Sequence, residues 1–265
     1  DRATGQLLGL EQSGVCLIRG AVPAFSRPPT GLDCQEGWGW YAKTHVFHEL
    51  AIAVRDVQLT TSDRLAVVRF QLLAAPRTAQ TIPVCLTYRF DADGLTIESN
   101  AIVPNVYEMV PRAGLCFQLD GARQQLRYFG YGPWECYPDR MACVRLGRFD
   151  STVAREHFPF NPPSENGGHE QTRWLELSDA DGRGVRISGQ VPFHFDARFH
   201  DVAAYWHVRH EHELAPSDTI TLHIDSVHAP IGSNMAWSTV IDPREMPGGG
   251  SYFQSVRVEP LGGQT

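Results

Sequence analysis

Lysine is almost missing from this chain: Lys43 is the only one, and arginine supplies the rest of the basic side chains. A coding bias accounts for the imbalance. Its physical consequence is a supply of planar forks suited to bidentate pairing with carboxylates. Positive charge is also short overall, with a formal net charge of −7. That argues against nucleic acid as a partner, because neutralising phosphates needs a basic face. No apolar run approaches the roughly 18 residues of a membrane span, and no secretory leader is expected from the opening residues. Gly-x-Ser-x-Gly elbows and phosphate-binding glycine loops are absent too, which removes two routes to catalysis. The six cysteines contain no Cys-x-x-Cys pair. Cys16, Cys85 and Cys116 fall in apolar runs where a thiol behaves as a small hydrophobe. Reduced thiols and a cytoplasmic setting are therefore expected. The chain begins with Asp1 rather than methionine and reads as a piece of a longer polypeptide.

What is present is a period-2 alternation of apolar and polar residues. Leu65 to Leu73 is rich in β-formers. Val84 to Phe90, the turn Asp91-Ala-Asp-Gly94, and Leu95 to Val103 predict a hairpin, with Leu95, Ile97, Ala101 and Val103 on one face. The same grammar recurs at Trp174 to Leu177, turn Asp179 to Gly182, and Val185 to Ile187. Further strands are predicted at Leu115 to Leu119, Leu126 to Phe129, Phe193 to Phe195, Ile220 to Ile224 and Tyr252 to Val258. A single short helix is predicted within Asp201 to His210, with Asp201 as N-cap. No long linker or repeat divides the chain, so residues 1–265 are expected to form one all-β domain, a large antiparallel β-sandwich.

Three proline-marked polar loops interrupt the strands. The first, Gly130 to Arg140, carries Trp134, Glu135, Tyr137, Asp139 and Arg140. The second, Phe158 to Gly168, offers Glu165 and Asn166 between a Pro-Pro pair and a Gly-Gly pair. The third, Asp225 to Trp237, includes His228 and Asn234. Carboxylates and amides beside indole rings suit sugars, whose hydroxyls need polar partners and whose apolar faces stack on aromatics. Internal Arg–carboxylate pairing that holds a loop in shape is the competing reading for Glu135, Asp139 and Arg140. Glu165 and Asn166 suit either turn stabilisation or a domain contact. His207, His210, His212, His223 and His228 invite a metal, but no cysteine or acid stands at a compelling interval, and no metal site is assigned.

These loops resemble the C-terminal domain of the family 2 glycoside hydrolases that act as β-galactosidases. Gly130, Gly132, Pro133, Glu135, Tyr137, Pro138, Asp139 and Arg140 match the family's Gly-x-Gly-Pro-x-Glu-x-Tyr-Pro-Asp-Arg loop. Pro163-Ser-Glu-Asn-Gly167 and the 225–237 loop follow in the family's order, and Asp1, Arg2 and Gly5, with Phe25 to Pro29, add to the likeness. Residues Pro230, Ser233, Asn234 and Ala236 depart from the family's third loop, as Thr30, Gly31 and Leu32 do from its first region.

The resemblance implies a super-sandwich of galactose mutarotase-like shape. It places the catalytic carboxylates on a separate barrel domain, so no catalytic residue is expected here. Trp237 matches the family's sugar-contacting tryptophan, with Asn234 and His228 beside it; the alternative for Trp237 is a tryptophan capping a sheet. The implied partners are the barrel and other domains of the parent, a galactoside, and further copies in a homo-oligomer. No cofactor is implied in this domain, whereas the family often uses Mg and Na at other domains. Two other readings stay open: a mutarotase-like enzyme using His228 with Asp225 or Glu165, and a free-standing carbohydrate-binding module.

Overall fold

A computed structural model describes residues 1–34, 41–76, 80–92, 94–232 and 246–262. Trp237 and Asn234 lie outside the described residues. In chain order the strands are β1 (Leu7–Gln12), β2 (Val15–Ala24), β3 (Ala51–Ser62), β4 (Leu65–Ala75), β5 (Ile82–Asp91), β6 (Gly94–Val103) and β7 (Arg112–Asp120). They continue as β8 (Gln125–Gly132), β9 (Arg145–Thr152), β10 (His169–Ser178), β11 (Gly184–Arg198), β12 (Thr219–His228) and β13 (Gly250–Leu261). Among the described residues helix is confined to single turns: α1 (Tyr41–Thr44), α2 (Val153–Glu156), α3 (Val202–Tyr205) and three short 3-10 segments. The turn α3 sits at the start of the stretch predicted helical from 201 to 210, and Asp201 does cap it, its carboxylate accepting from the Ala203 N–H. The helix stops there because the chain bends away into a capping turn at His210–Glu213.

All strand pairings are antiparallel. The main path runs β1-β2-β7-β12-β11-β13-β6-β5-β4-β3, and a branch from β11 runs through β10 and β8 to β9. The fold is thus an all-β antiparallel super-sandwich. The 15-residue β11 is its crossing member. Its first half pairs β13 through Gly184 to Gly189, and its second half pairs β12 through His194 to Arg198. The predicted hairpin is β5–β6, where the Asp91 carboxylate accepts from the Gly94 N–H. Along β6, Leu95, Ile97, Ala101 and Val103 are all buried on one face. They join Leu86, Tyr88, Phe117, Leu119, Ile187, Leu222, Val256 and Val258 in one continuous core. Non-directional burial of this kind supplies the main drive for folding, at about 25 cal/mol per Å² of apolar surface.

Leu222 is fully buried on the central strand β12. Leu222→Ala should destabilise the chain by about 2–5 kcal/mol, the range for such truncations in cores that relax only partly. Urea unfolding at fixed pH measures it, and a loss under about 1 kcal/mol would place the core elsewhere.

Candidate functional site

Three adjacent strands carry polar side chains on a shared inward face. Arg112 from β7, His194, Asp196 and Arg198 from β11, and His223, Asp225 and His228 from β12 are all nearly inaccessible to solvent. Register brings them together: His194 lies opposite Asp225, Asp196 opposite His223, and Arg112 opposite His228. An irregularity in the pairing between Asp225 and Val227 puts His228 back on the same face as Asp225. The cost of burying these charges is offset by dense pairing. Asp196 accepts from Arg112 and Arg198, each at 2.8 Å, and lies 3.1 Å from the His223 Nδ1.

Loop residues close over this layer. Glu165 accepts from Arg198 at 2.8 Å and from Arg112 at 3.5 Å, so the second loop is tied to β7 and β11. Tyr137 of the first loop donates to Glu165 at 3.2 Å, while its hydroxyl oxygen accepts the Gly168 N–H at 3.1 Å. The Tyr137 ring packs on His194 and His228, whose own rings stack at 4.4 Å. Gly168 must be glycine, since a Cβ there would stand 2.6 Å from His194 and 2.7 Å from Tyr137.

The three loops also lock to one another. Glu135 accepts from Arg140 at 2.7 Å and from the Gly167 N–H at 2.8 Å. The two oxygens of Asp139 accept the backbone N–H groups of Ile231 at 3.0 Å and Gly232 at 2.7 Å. Asn166 accepts from Phe158 and donates to the Ser164 carbonyl. Buried Arg27 pairs with Asp33 and donates to the carbonyls of Ala229 and Pro230, bracing the same third loop from below. A cleft of about 380 Å³ opens where they meet, walled by Thr30, Arg140, Phe160, Ser164, Glu165 and Gly232.

The electrostatics of the layer follow from burial and pairing. Desolvation alone would raise Asp196, but Arg112 and Arg198 hold it well below the usual carboxylate range. Asp225 has no such compensation. Burial pushes it up to about 7, only partly relieved by Arg112, whose Nε lies 3.7 Å away, and neither of its oxygens has a hydrogen-bond partner. Burial lowers His228, and neighbouring His194 and Arg112 lower it further. His194, by contrast, is raised: the Glu170 carboxylate at 2.9 Å outweighs its burial. Burial and the Glu165 charge raise the Tyr137 phenol.

Sequence reasoning singled out Glu135, Tyr137, Asp139, Arg140, Glu165 and Asn166, and the structure brings all six into the loop junction. Ring stacking covers His228, which is 1% exposed and meets no solvent in this arrangement. The histidines at 207, 210 and 212 lie outside the layer, with His210 and His212 stacked on each other. Arg112, His194, Asp196 and Arg198 went unnoticed as site residues. The alternation His194-Phe-Asp-Ala-Arg198 carries the pattern, but its polar set faces inward. Among the described residues, only His194, Asp196 and Asp225 place donor atoms within 4.8 Å of one another as a metal would need. Two guanidinium groups already take up the Asp196 oxygens and supply positive charge there.

The protein is a large antiparallel sandwich whose three motif-bearing loops meet at one junction. The chain belongs to the β-galactosidase small-chain family, whose model matches residues 1–247. A β-galactosidase of Actinobacillus pleuropneumoniae is 33% identical over 241 residues, covering 88% of this chain and 23% of that protein. A β-galactosidase of Streptococcus thermophilus is 26% identical over 274 residues, covering 98% of this chain and 26% of that protein. The chain thus spans about a quarter of the length of these curated relatives. Among solved structures, a putative aldose 1-epimerase from Escherichia coli K12 aligns over 96% of this chain and 88% of its own, at 13% identity and a TM-score of 0.41. A GalM/aldose epimerase homologue from C. elegans covers 98% of this chain and 80% of its own, at 12% identity and a TM-score of 0.41. No helix of the described residues is long and apolar enough to cross a membrane.

The elevated Asp225 makes a signed pH prediction. Its folded carboxyl keeps a proton up to about pH 7, whereas the unfolded one loses it near 3.9. Stability from this group therefore falls as pH rises through that window and is level above it. Asp225→Asn should gain stability over the wild type as pH rises from 5 to 8, by on the order of a few kcal/mol. Parallel denaturant curves for both proteins at several pH values would refute this if their difference stayed constant.

Proposed function

We propose that this chain is the C-terminal domain of a β-galactosidase that hydrolyses terminal β-galactosides through two carboxylates on a separate barrel domain. Hydrolysis with retention needs two carboxyl groups roughly 5 Å apart across the scissile bond. The acids gathered here serve another purpose: Glu165 and Asp196 are consumed by guanidinium pairs. The observation that carries the reading is the family match over residues 1–247 in a chain that spans about a quarter of its β-galactosidase relatives.

In this role the chain walls the mouth of the parent's active site. Trp237 follows Gly232 by five residues, with Asn234 between them. The Asp139 grip on Ile231 and Gly232 fixes the root of that segment. Trp237 offers an indole face to the sugar, Asn234 an amide, and buried His228 supports the loop from beneath. Another part of the surface packs on the other domains of the parent, which assembles as a homo-oligomer, and the working compartment is the cytoplasm.

The test uses the parent enzyme and the chain alone. The chain alone should not hydrolyse a chromogenic β-galactoside; turnover abolished by mutating one of its own Glu or Asp residues would sink the proposal. In the parent, Trp237→Ala should raise KM for lactose roughly tenfold, as expected for losing an aromatic platform. Asp139→Ala should move KM in the same direction while leaving the fold intact by circular dichroism. Unchanged kinetics in both variants would remove the rim role.

A second reading draws on the convergence of His228, Asp225 and Glu165 in one buried layer, the trio an epimerase-like enzyme would use. Acid–base work requires reach to a substrate proton, yet His228 and Asp225 are buried beneath Tyr137 and the second loop, and Glu165 is taken up by Arg112 and Arg198. Polarimetry of α-galactose mutarotation should show no acceleration above buffer by the chain. A rate that rises in proportion to protein concentration would establish the second reading instead.

A further inference from the structure

The first loop faces two ways. Its inward residues lock the junction, while Trp134, at a position the family motif leaves free, points outward with 67% of its surface exposed. Phe158, from the opposite loop, is 56% exposed. Large exposed aromatics standing together at a cleft are unusual on a soluble surface and mark contact sites. Between them lies a cleft of about 600 Å³, lined also by Glu135, Arg140, Asp150 and Arg155. That volume falls within the range of small-ligand sites, about 300–1,000 Å³. Arg140 lines both this cleft and the loop-junction cleft, whereas Trp134, Phe158 and Arg155 line this one and not the junction. Among the described residues no ring or guanidinium stacks on Trp134.

We propose that this cleft is a second saccharide-binding subsite, with Trp134 as the stacking platform for a neutral pyranose. The platform is held rigidly. A Cβ at Gly132 would come 2.4 Å from the Tyr128 hydroxyl and 2.8 Å from the Phe149 ring, so the backbone beneath the tryptophan lies directly on those rings. The polar rim is arranged for hydroxyl groups. Asp150, 2.7 Å from Arg127, presents an acceptor at the rim, whereas Glu135 is already held by Arg140 and the Gly167 N–H and stiffens the wall. Arg155 makes no ion pair among the described residues and offers donors.

Charge selects the ligand class. Acidic Glu135, Asp150 and Glu156 and basic Arg140 and Arg155 all line the cleft, leaving it close to neutral. An anionic ligand would find no surplus of positive charge, and a cation only one unit of attraction. A protein segment would have to desolvate these charges, which interface cores avoid. A neutral polyol keeps the acids and arginines hydrogen-bonded while its C–H face covers the indole. Because Trp134 and Trp237 belong to different loops, this subsite stands whether or not Trp237 serves the parent's active site.

The experiment titrates lactose and a β-linked galactotriose into the 265-residue chain and follows intrinsic tryptophan fluorescence. Wild type should give a saturable change. Trp134→Ala should weaken the affinity roughly tenfold, and Arg155→Ala should weaken it less. Since Trp134 is exposed, its replacement should leave the melting curve in place, which separates lost binding from lost folding. The proposal is overturned if wild type shows no saturable response, or if Trp134→Ala titrates like wild type. It is equally overturned if Trp134 in the parent enzyme is shielded from iodide quenching, for then another domain covers the cleft.

Discussion

Arg112 is the side chain around which the rest of this molecule is organised. It is completely buried, it extends from a core strand, and its charge is met by Asp196, Glu165 and Asp225. Arg198 repeats the arrangement two strands away, across β12, sharing Asp196 and Glu165. Isolated charges would not survive such burial; desolvating one costs several kcal/mol unless its partners are in place. The pairing therefore makes the strands and the second loop mutually dependent. Remove Glu165 and two guanidinium groups lose part of their compensation. Remove either arginine and Asp196 loses one of the two guanidinium charges that hold it well below the usual carboxylate range.

From that layer the constraint passes outward through single hydrogen bonds. Glu165 receives the Tyr137 hydroxyl, Tyr137 receives the Gly168 amide, and Glu135 receives the Gly167 amide. Asp139 then reaches across to two successive amides at the root of the third loop. Carboxylates that accept backbone N–H groups form strong, directional contacts. Four polar side chains of the first loop are accounted for in this way, including Arg140 through its pair with Glu135. The density of charged and aromatic residues between 130 and 140 has a geometric basis: one short loop must hold two others.

The sandwich class and the β5–β6 hairpin were legible because their alternation obeys the simple rule of apolar inside and polar outside. Leu95, Ile97, Ala101 and Val103 share a buried face as their spacing says. The same rule hid the polar layer. In His194-Phe-Asp-Ala-Arg198 and His223-Ile-Asp225 both sets are buried, since the strands are covered on both sides. Alternation names two faces but cannot say that water is absent from the polar one. The strand β11 was also read as two, because Gly189, Pro192 and the polar residues between its halves look like a break. The structure keeps one strand there and changes its partner from β13 to β12. Strands β1, β3 and β9 escaped notice for a related reason. Most of β3 and β9 is exposed or half-buried, so their apolar residues do not form a clean inward stripe.

The loop between residues 130 and 140 combines two functions that seldom fit in one segment. Rigid support requires side chains turned inward and saturated with partners, whereas ligand contact requires an open face. Here Pro133 and Trp134 sit at the outer bend, and Glu135, Tyr137 and Asp139, at alternating positions, turn inward to fixed partners. The indole thus sits on a frame whose other members are immobilised by at least one hydrogen bond each. A platform ordered in advance loses little conformational freedom on meeting a ligand, so more of the stacking energy remains for binding. The buried charges do not touch a ligand at that outer face. Their contribution is to hold the loop so firmly that Trp134 can remain exposed without collapsing onto the apolar surface beside it.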